Sequence, residues 1–163
     1  MKKKLNALNL AGIFLLLAGM MISCGKEKEN EPTEIPFTEY SLPIFDCGWI
    51  NISYYDSGVT VVNNITDMKK YATCMNGETL HEINFSDHTL LLVRGLSSVF
   101  TNSINTVLFK YSNTEYKLQI TVIIDPCTVD EYCSIMADWY ISIIVPKIPD
   151  GAKINLKVDY VKL

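Results

Sequence analysis

The sequence predicts a β-rich α+β domain, an antiparallel sheet or meander with one short amphipathic helix packed on it. Three observations carry that reading. Tyr116, Leu118, Ile120, Val122 and Ile124 alternate with Lys117, Gln119 and Thr121, the period-two pattern of a strand with one buried face. Trp139, Ile141, Ile143 and Val145, and then Ile154, Leu156, Val158 and Tyr160, repeat that alternation. A single stretch has helical spacing: Met68, Tyr71, Ala72 and Met75 fall at i, i+3, i+4 and i+7.

Taken in order, Phe37–Asp46 with its Pro43 suits a lead-in or an edge strand. Cys47–Tyr55 has the aromatic and β-branched content of a strand. Asp56-Ser57-Gly58 turns the chain into a second strand, Val59–Val62, and the two read as a hairpin. Thr66 is the expected N-cap of the helix, with Asp67 in its first turn and Gly77 as its stop. Thr89–Val93 is continuously apolar, as a central strand is, and Arg94-Gly95 is expected to end it. Thr106–Tyr111 is the next strand and Ser112–Glu115 the turn after it. After the excursion 125–136, Pro146 ends the penultimate strand and Pro149-Asp150-Gly151 turns the chain into the last one. The last four strands read as an antiparallel meander, and the helix covers part of it.

The first part of the chain reads as an address. Lys2-Lys3-Lys4 precede an uncharged stretch whose unbroken apolar core, Leu10–Ile22, is shorter than the roughly 20 residues of a membrane-spanning helix. With Ser23 before Cys24, this is the pattern of an export signal with a cleavage site at Ser23–Cys24. Met21-Ile22-Ser23-Cys24 resembles the bacterial lipobox, which implies that Cys24 carries the lipid of a mature lipoprotein, palmitate included. The expected organisation is a signal peptide over 1–23, a lipidated cysteine with a disordered charged tether over 24–38, and one globular domain over 39–163. The acid-rich tract after Cys24 resembles the surface-export signal of Bacteroidetes lipoproteins. It implies a bacterial outer membrane location facing the cell surface or the periplasm.

The whole chain has fourteen Lys+Arg and eighteen Asp+Glu. Loss of the three leader lysines leaves a net charge of −7. An acidic domain without a basic stripe is not a nucleic-acid binder, and anionic lipid would repel it, so the lipid on Cys24 must supply the membrane contact. Four cysteines remain besides Cys24, an even number in an exported chain, and they read as two disulfides. Three pairings are possible. Cys127–Cys133 as a local clasp and Cys47–Cys74 as a longer tie, suggested by Cys74 lying beside the helical stripe, are preferred. Zinc is disfavoured, because no C-x-x-C or H-x(3–5)-H spacing joins these thiols to His81 or His88. No metal and no cofactor is expected.

Glu82-Ile83-Asn84-Phe85-Ser86, Thr89–Val93 and Gly95 resemble a passage of small Bacteroidetes surface or periplasmic lipoproteins. More distantly, they resemble the C-terminal domain of the protease-complex inhibitor family. Trp139–Lys147 is similar to that family's penultimate strand and the Pro-Lys after it, and the likeness spans Ile65–Val158. Where the family carries a Gly-Gly-Tyr turn, this chain has Leu96–Ser103.

No grouping for catalysis is visible. Ser86-Asp87-His88 are adjacent and cannot converge as a triad, and no G-x-S-x-G elbow is present. Asp125, Asp130, Glu131 and Asp138 are the acids that a glycoside-hydrolysing pair would draw on, and the loop holding the first three lacks calcium spacing. Nine tyrosines and two tryptophans leave the aromatics as the functional handle. Tyr54, Tyr55, Tyr132 and Tyr140 are the candidate binding residues, because aromatics on a sheet suit protein or carbohydrate contact. The expectation is a lipid-anchored, non-enzymatic module that binds a protein or a glycan. The alternatives are a protease-inhibitor-like domain and a hydrolase whose acids are assembled by the fold.

Overall fold

A computed structural model describes residues 31–43, 46–75, 79–97, 101–124 and 136–163. Its strands in chain order are β1 (Thr33–Ile35), β2 (Thr38–Glu39), β3 (Cys47–Trp49), β4 (Thr60–Val62), β5 (Ala72–Cys74), β6 (His88–Ser97), β7 (Thr101–Lys110), β8 (Glu115–Ile124), β9 (Ala137–Pro146) and β10 (Lys153–Lys162). One short helix, α1 (Ile65–Tyr71), lies between β4 and β5. Among the described residues, the β-rich α+β class with antiparallel sheets and one short helix is therefore observed.

The connectivity differs from a meander. A first sheet has the order β1-β7-β8-β10 and a second the order β2-β9-β6-β4, while β3 and β5 form a separate two-stranded ribbon. Of the last four strands, β7, β8 and β10 lie in the first sheet and β9 in the second. β10 runs parallel to β8, from Lys153 beside Glu115 to Lys162 beside Ile124. Parallel neighbours need a crossover connection, and the excursion to β9 supplies it. Only β7 and β8 make the expected hairpin, in which the N–H groups of Tyr111 and Ser112 both donate to the Glu115 carbonyl.

The period-two residues explain the sandwich. Leu118, Ile120 and Val122 of β8 meet Leu91, Val93, Ile143 and Val145 of the second sheet in one buried cluster. β6 is apolar on both faces because both are covered. Leu91 and Val93 point between the sheets, whereas Leu90 and Leu92 point outward into a second cluster with Tyr40, Ile52, Val62 and Met68. That outer cluster is the layer formed by α1 and the lead-in segments, and Met68 and Leu90 are fully buried in it.

Several local expectations are corrected. The hairpin of 47–55 with 59–62 does not form, since β3 pairs with β5 and β4 pairs with β6. Asn51 adopts the left-handed conformation (φ 55°), which Asn tolerates. It ends the strand early, and its side chain donates to the Lys70 carbonyl at the end of α1. The N-cap is Asn64 and not Thr66. Asn64 accepts from the Asp67 N–H at 2.8 Å and donates from its amide to the Asp67 carboxylate at 2.6 Å, a reciprocal cap. The helix stops at Tyr71, so Ala72 is buried from a strand and Met75 is exposed. Gly77 lies outside the described residues.

β6 continues through Arg94-Gly95 to Ser97. In the stretch read as tether, Thr33–Ile35 is an edge strand held by backbone pairing to Leu108–Lys110, with Ile35 packed on the inter-sheet core. β2 is the edge strand foreseen for the lead-in.

Cys47 and Cys74 form the expected disulfide. They face one another across the ribbon, and the Met75 N–H donates to the Asp46 carbonyl just beyond them. That bond makes Cys47–Cys74 a non-hydrogen-bonded pair, the position where facing side chains come closest. Ser23, Cys24, Cys127, Cys133 and Tyr132 lie outside the described residues. Among the described residues, no helix is long and apolar enough to cross a membrane.

Candidate functional site

A cleft of about 560 Å³ lies at the end of the sandwich where β6 and β8 finish. It is lined by Tyr54, Tyr55, Asp56, Leu96, Ser97, Ile124, Met136 and Tyr160. Its position follows from the lengths of the strands. β4 covers the edge of β6 only from Leu90 to Leu92. Beyond that point the edge is taken up by the irregular segment before β4, through a parallel bridge between Tyr54 and Arg94. A single 3₁₀ turn, Tyr55–Ser57, follows and closes on Gly58 at φ 96°. Tyr54 and Tyr55 thus straddle the edge of the second sheet.

Tyr55 belongs to the inner side. Its ring stacks on Trp139 at 6.3 Å between centroids and 13° between planes, and Tyr160 meets Trp139 edge-on at 6.5 Å. Trp139 pairs with Gly95 across the β6–β9 ladder. A Cβ at position 95 would stand 2.0 Å from the indole ring, so glycine is what lets the ring lie flat on the strand. The indole Nε1–H donates to the Tyr160 hydroxyl at 3.2 Å, and that hydroxyl donates to the Leu96 carbonyl at 2.8 Å. Burial holds the Tyr160 phenol above its ordinary pKa, partly offset by the indole donor. The ring is therefore neutral and fixed in place, while 38% of the residue stays exposed.

Tyr54 and Tyr140 occupy the outer side. The Arg94 guanidinium lies 4.3 Å from the Tyr54 ring centroid and 5.8 Å from that of Tyr140, within the range of cation–π attraction. Arg94 also makes a bidentate pair with Asp138, through Nε at 3.2 Å and Nη2 at 2.8 Å. These bonds raise the guanidinium's pKa further. Burial raises that of the Tyr140 phenol against the opposing pull of Arg94.

Of the residues predicted from sequence, Tyr54, Tyr55 and Tyr140 are brought to this end of the domain, Tyr54 and Tyr55 in the cleft and Tyr140 on the outer face beside it. Tyr111, another exposed aromatic, sits at the far end of β8 in the β7–β8 turn. Asp138 is committed to Arg94, whereas Asp125, Asp130 and Glu131 lie outside the described residues. Asp56 is the one carboxylate among the described lining residues. Ser86, Asp87 and His88 make no triad. Asn84 accepts from the Ser86 N–H and donates to the Asp87 carboxylate, and the His88 ring lies 3.3 Å from the Asn84 carbonyl. No group of His, Cys, Asp and Glu suited to a metal ion occurs among the described residues.

Sequence reasoning missed Gly95, Trp139 and Tyr160. The alternation of β9 and β10 places both Trp139 and Tyr160 in the core, which holds for Trp139 but not for the exposed Tyr160, and Arg94-Gly95 reads as a strand end although β6 runs on to Ser97. A glycine inside an otherwise apolar strand is the signal that could have found them, because it marks a close approach of another group. Comparison with known protein families, curated proteins and solved structures gives no match.

Proposed function

We propose that this chain is a bacterial outer-membrane lipoprotein, anchored through lipid on Cys24, whose β-rich domain binds a protein or glycan ligand without transforming it. The cleft carries the reading. Three tyrosines, each between 36% and 38% exposed, converge around a concave space on a backing of buried Trp139, with Asp56 and phenol hydroxyls at hand. Apolar ring faces with a few oriented polar groups are what pyranose rings stack upon. A volume of about 560 Å³ falls in the range of small-ligand sites. Concavity favours the glycan of the two ligand classes, since a protein epitope engages a broader surface.

Calorimetric titration of the purified protein with oligosaccharides tests this. Binding to at least one neutral oligosaccharide is expected, weakened about five- to twelvefold by Tyr55→Ala, the loss of one stacking contact of about 1–1.5 kcal/mol. Binding that Tyr55→Ala and Tyr160→Ala leave unchanged would remove the cleft from the proposal. Inhibition of a secreted protease by the same protein would favour the inhibitor-like alternative. The anchor is tested by Cys24→Ala, which should abolish acyl labelling and membrane fractionation.

A further inference from the structure

β10 is the last strand of the first sheet. It pairs with β8 over its whole length, and among the described residues no strand pairs with its other edge. The register fixes which backbone groups that edge presents. The Lys153 N–H donates to the Thr114 carbonyl and the Leu163 N–H to the Ile124 carbonyl. In a parallel ladder a residue directs both its backbone groups to the same neighbour, so the odd-numbered residues bond to β8. Ile154, Leu156, Val158, Tyr160 and Lys162 therefore aim N–H and C=O at the open edge. Only water or another extended backbone satisfies such a row.

The side chains on this strand add a charge pattern. Ile154, Leu156 and Val158 pack against the inter-sheet core, which places Lys153, Asn155, Lys157, Asp159 and Val161 on the outer face of the sheet. Lys157 and Asp159 flank Val158 there, with Nζ and Oδ2 2.7 Å apart. An antiparallel second copy, related by a two-fold axis through Val158, sets Lys157 opposite Asp159 of that copy, and Asp159 opposite its Lys157. The same register pairs Leu156 with Tyr160 and Lys153 with Leu163, so the whole strand is used. Moving the axis by one residue puts Lys157 opposite itself or Asp159 opposite itself, and like charges directly opposite are unfavourable.

We propose that β10 is a self-association edge that joins the first sheets of two copies into one continuous antiparallel seam centred on Val158. The backbone groups supply the pairing, and the reciprocal Lys157–Asp159 contacts select both the register and a second copy of this chain over an arbitrary peptide. A one-strand seam is a small, transient interface.

The test uses two differently tagged full-length chains, co-expressed and purified through one tag in high and low salt. Wild type should recover wild type. Lys157→Glu with itself and Asp159→Lys with itself should each lose recovery by at least about tenfold, because attraction becomes repulsion at two sites per pair. Lys157→Glu with Asp159→Lys should recover one another, since their opposed charges are complementary only across the two-fold axis and alike within each chain. Mutual rescue also shows that both variants are folded. Equal recovery of all four combinations, or no recovery of wild type by wild type, would overturn the proposal.

Discussion

Replacing Gly95 by alanine sets two effects against each other, and their sizes predict the sign. Alanine is favoured over glycine in a strand interior by about 0.5–1 kcal/mol, through the smaller entropy lost on folding. At this position, however, the new methyl would lie 2.0 Å from one carbon of the Trp139 ring and 2.1 Å from another. Ordinary contact begins near 3.4 Å, so the ring must retreat by about 1.5 Å or leave. Retreat is opposed by Tyr55 stacked on the ring and by Tyr160 bonded to its Nε1. Overpacking of that kind costs about 1–3 kcal/mol. Expulsion would expose a residue that is now only 4% exposed, and about 150–250 Å² at 25 cal/mol per Å² comes to about 4–6 kcal/mol. Because the ring is blocked on two sides, retreat costs the upper end of the overpacking range, and after subtracting the gain from alanine the net expectation for Gly95→Ala is a loss of about 2–5 kcal/mol, which lowers Tm by roughly 7–18 °C in a domain of about 130 residues. Chemical and thermal denaturation measure it. Emission in a Trp49→Phe background, where Trp139 is the sole tryptophan, distinguishes expulsion (a red shift) from a strained retreat. A Gly95→Ala protein as stable as its parent, with unshifted emission, would refute the account of why this strand carries glycine.

Three further outcomes follow from the same structure. Cys47→Ser with Cys74→Ser, or reduction, opens a tie across a sequence separation of 27 residues, worth about 3.5 kcal/mol by loop entropy and roughly 12 °C in Tm; an unchanged melting curve would show that the ribbon needs no tie. Thr89→Val should cost about 1–3 kcal/mol in urea denaturation. The buried Thr89 hydroxyl donates to Asn63 at 2.6 Å and accepts from the Ile148 N–H at 3.1 Å, and valine leaves that N–H unpaired. Burial raises the pKa of Tyr40, Tyr140 and Tyr160. Their contribution to stability is therefore complete below the ordinary tyrosine pKa of about 10 and is lost as pH rises through the higher folded values; a phenolate absorbance step near pH 10 in the folded protein that Tyr40→Phe, Tyr140→Phe or Tyr160→Phe removes would contradict it.

Much of the fold was legible because its signals are local. The alternation of Tyr116–Ile124 needs one apolar side and obtains it. Thr89–Val93 is apolar throughout because both faces of β6 are covered. Ser112–Glu115 and Pro149–Gly151 turn where their residue types demand. The division of the strands between two sheets was not legible, and the reason is physical: one buried face produces the same period-two pattern in a meander as in a sandwich. The parallel pairing of β10 with β8 leaves no mark in either strand taken alone. β1 is hidden in a charged tract because an edge strand is held mainly by its backbone, and Ile35 alone of its three residues packs on the core. The helix was read too long because Met75 continues its spacing, whereas the chain turns back at Tyr71 to pair β5 with β3. Aromatic content pointed to Tyr54, Tyr55 and Tyr140, but their convergence with Trp139 and Tyr160 joins segments about a hundred residues apart.

The aromatic site exists because β4 is short. If a full-length strand lay against β6, Arg94 and Leu96 would bond to it and the end of the sandwich would close. Instead β4 leaves β6 at Leu92, one backbone bridge from Tyr54 to Arg94 is all that continues the ladder, and the rings of Tyr54 and Tyr55 stand where the rest of a strand would run. The rings are then fixed from behind: Tyr54 by the guanidinium of Arg94, which Asp138 holds, Tyr55 by the indole over Gly95, and Tyr160 by its two hydrogen bonds. Each side chain has given up its rotamer freedom on folding, so a ligand that stacks there pays little further ordering cost. The strand that is missing from the sheet, and the glycine that lets a tryptophan lie flat on the strand that remains, together turn an ordinary sandwich end into a rigid aromatic surface.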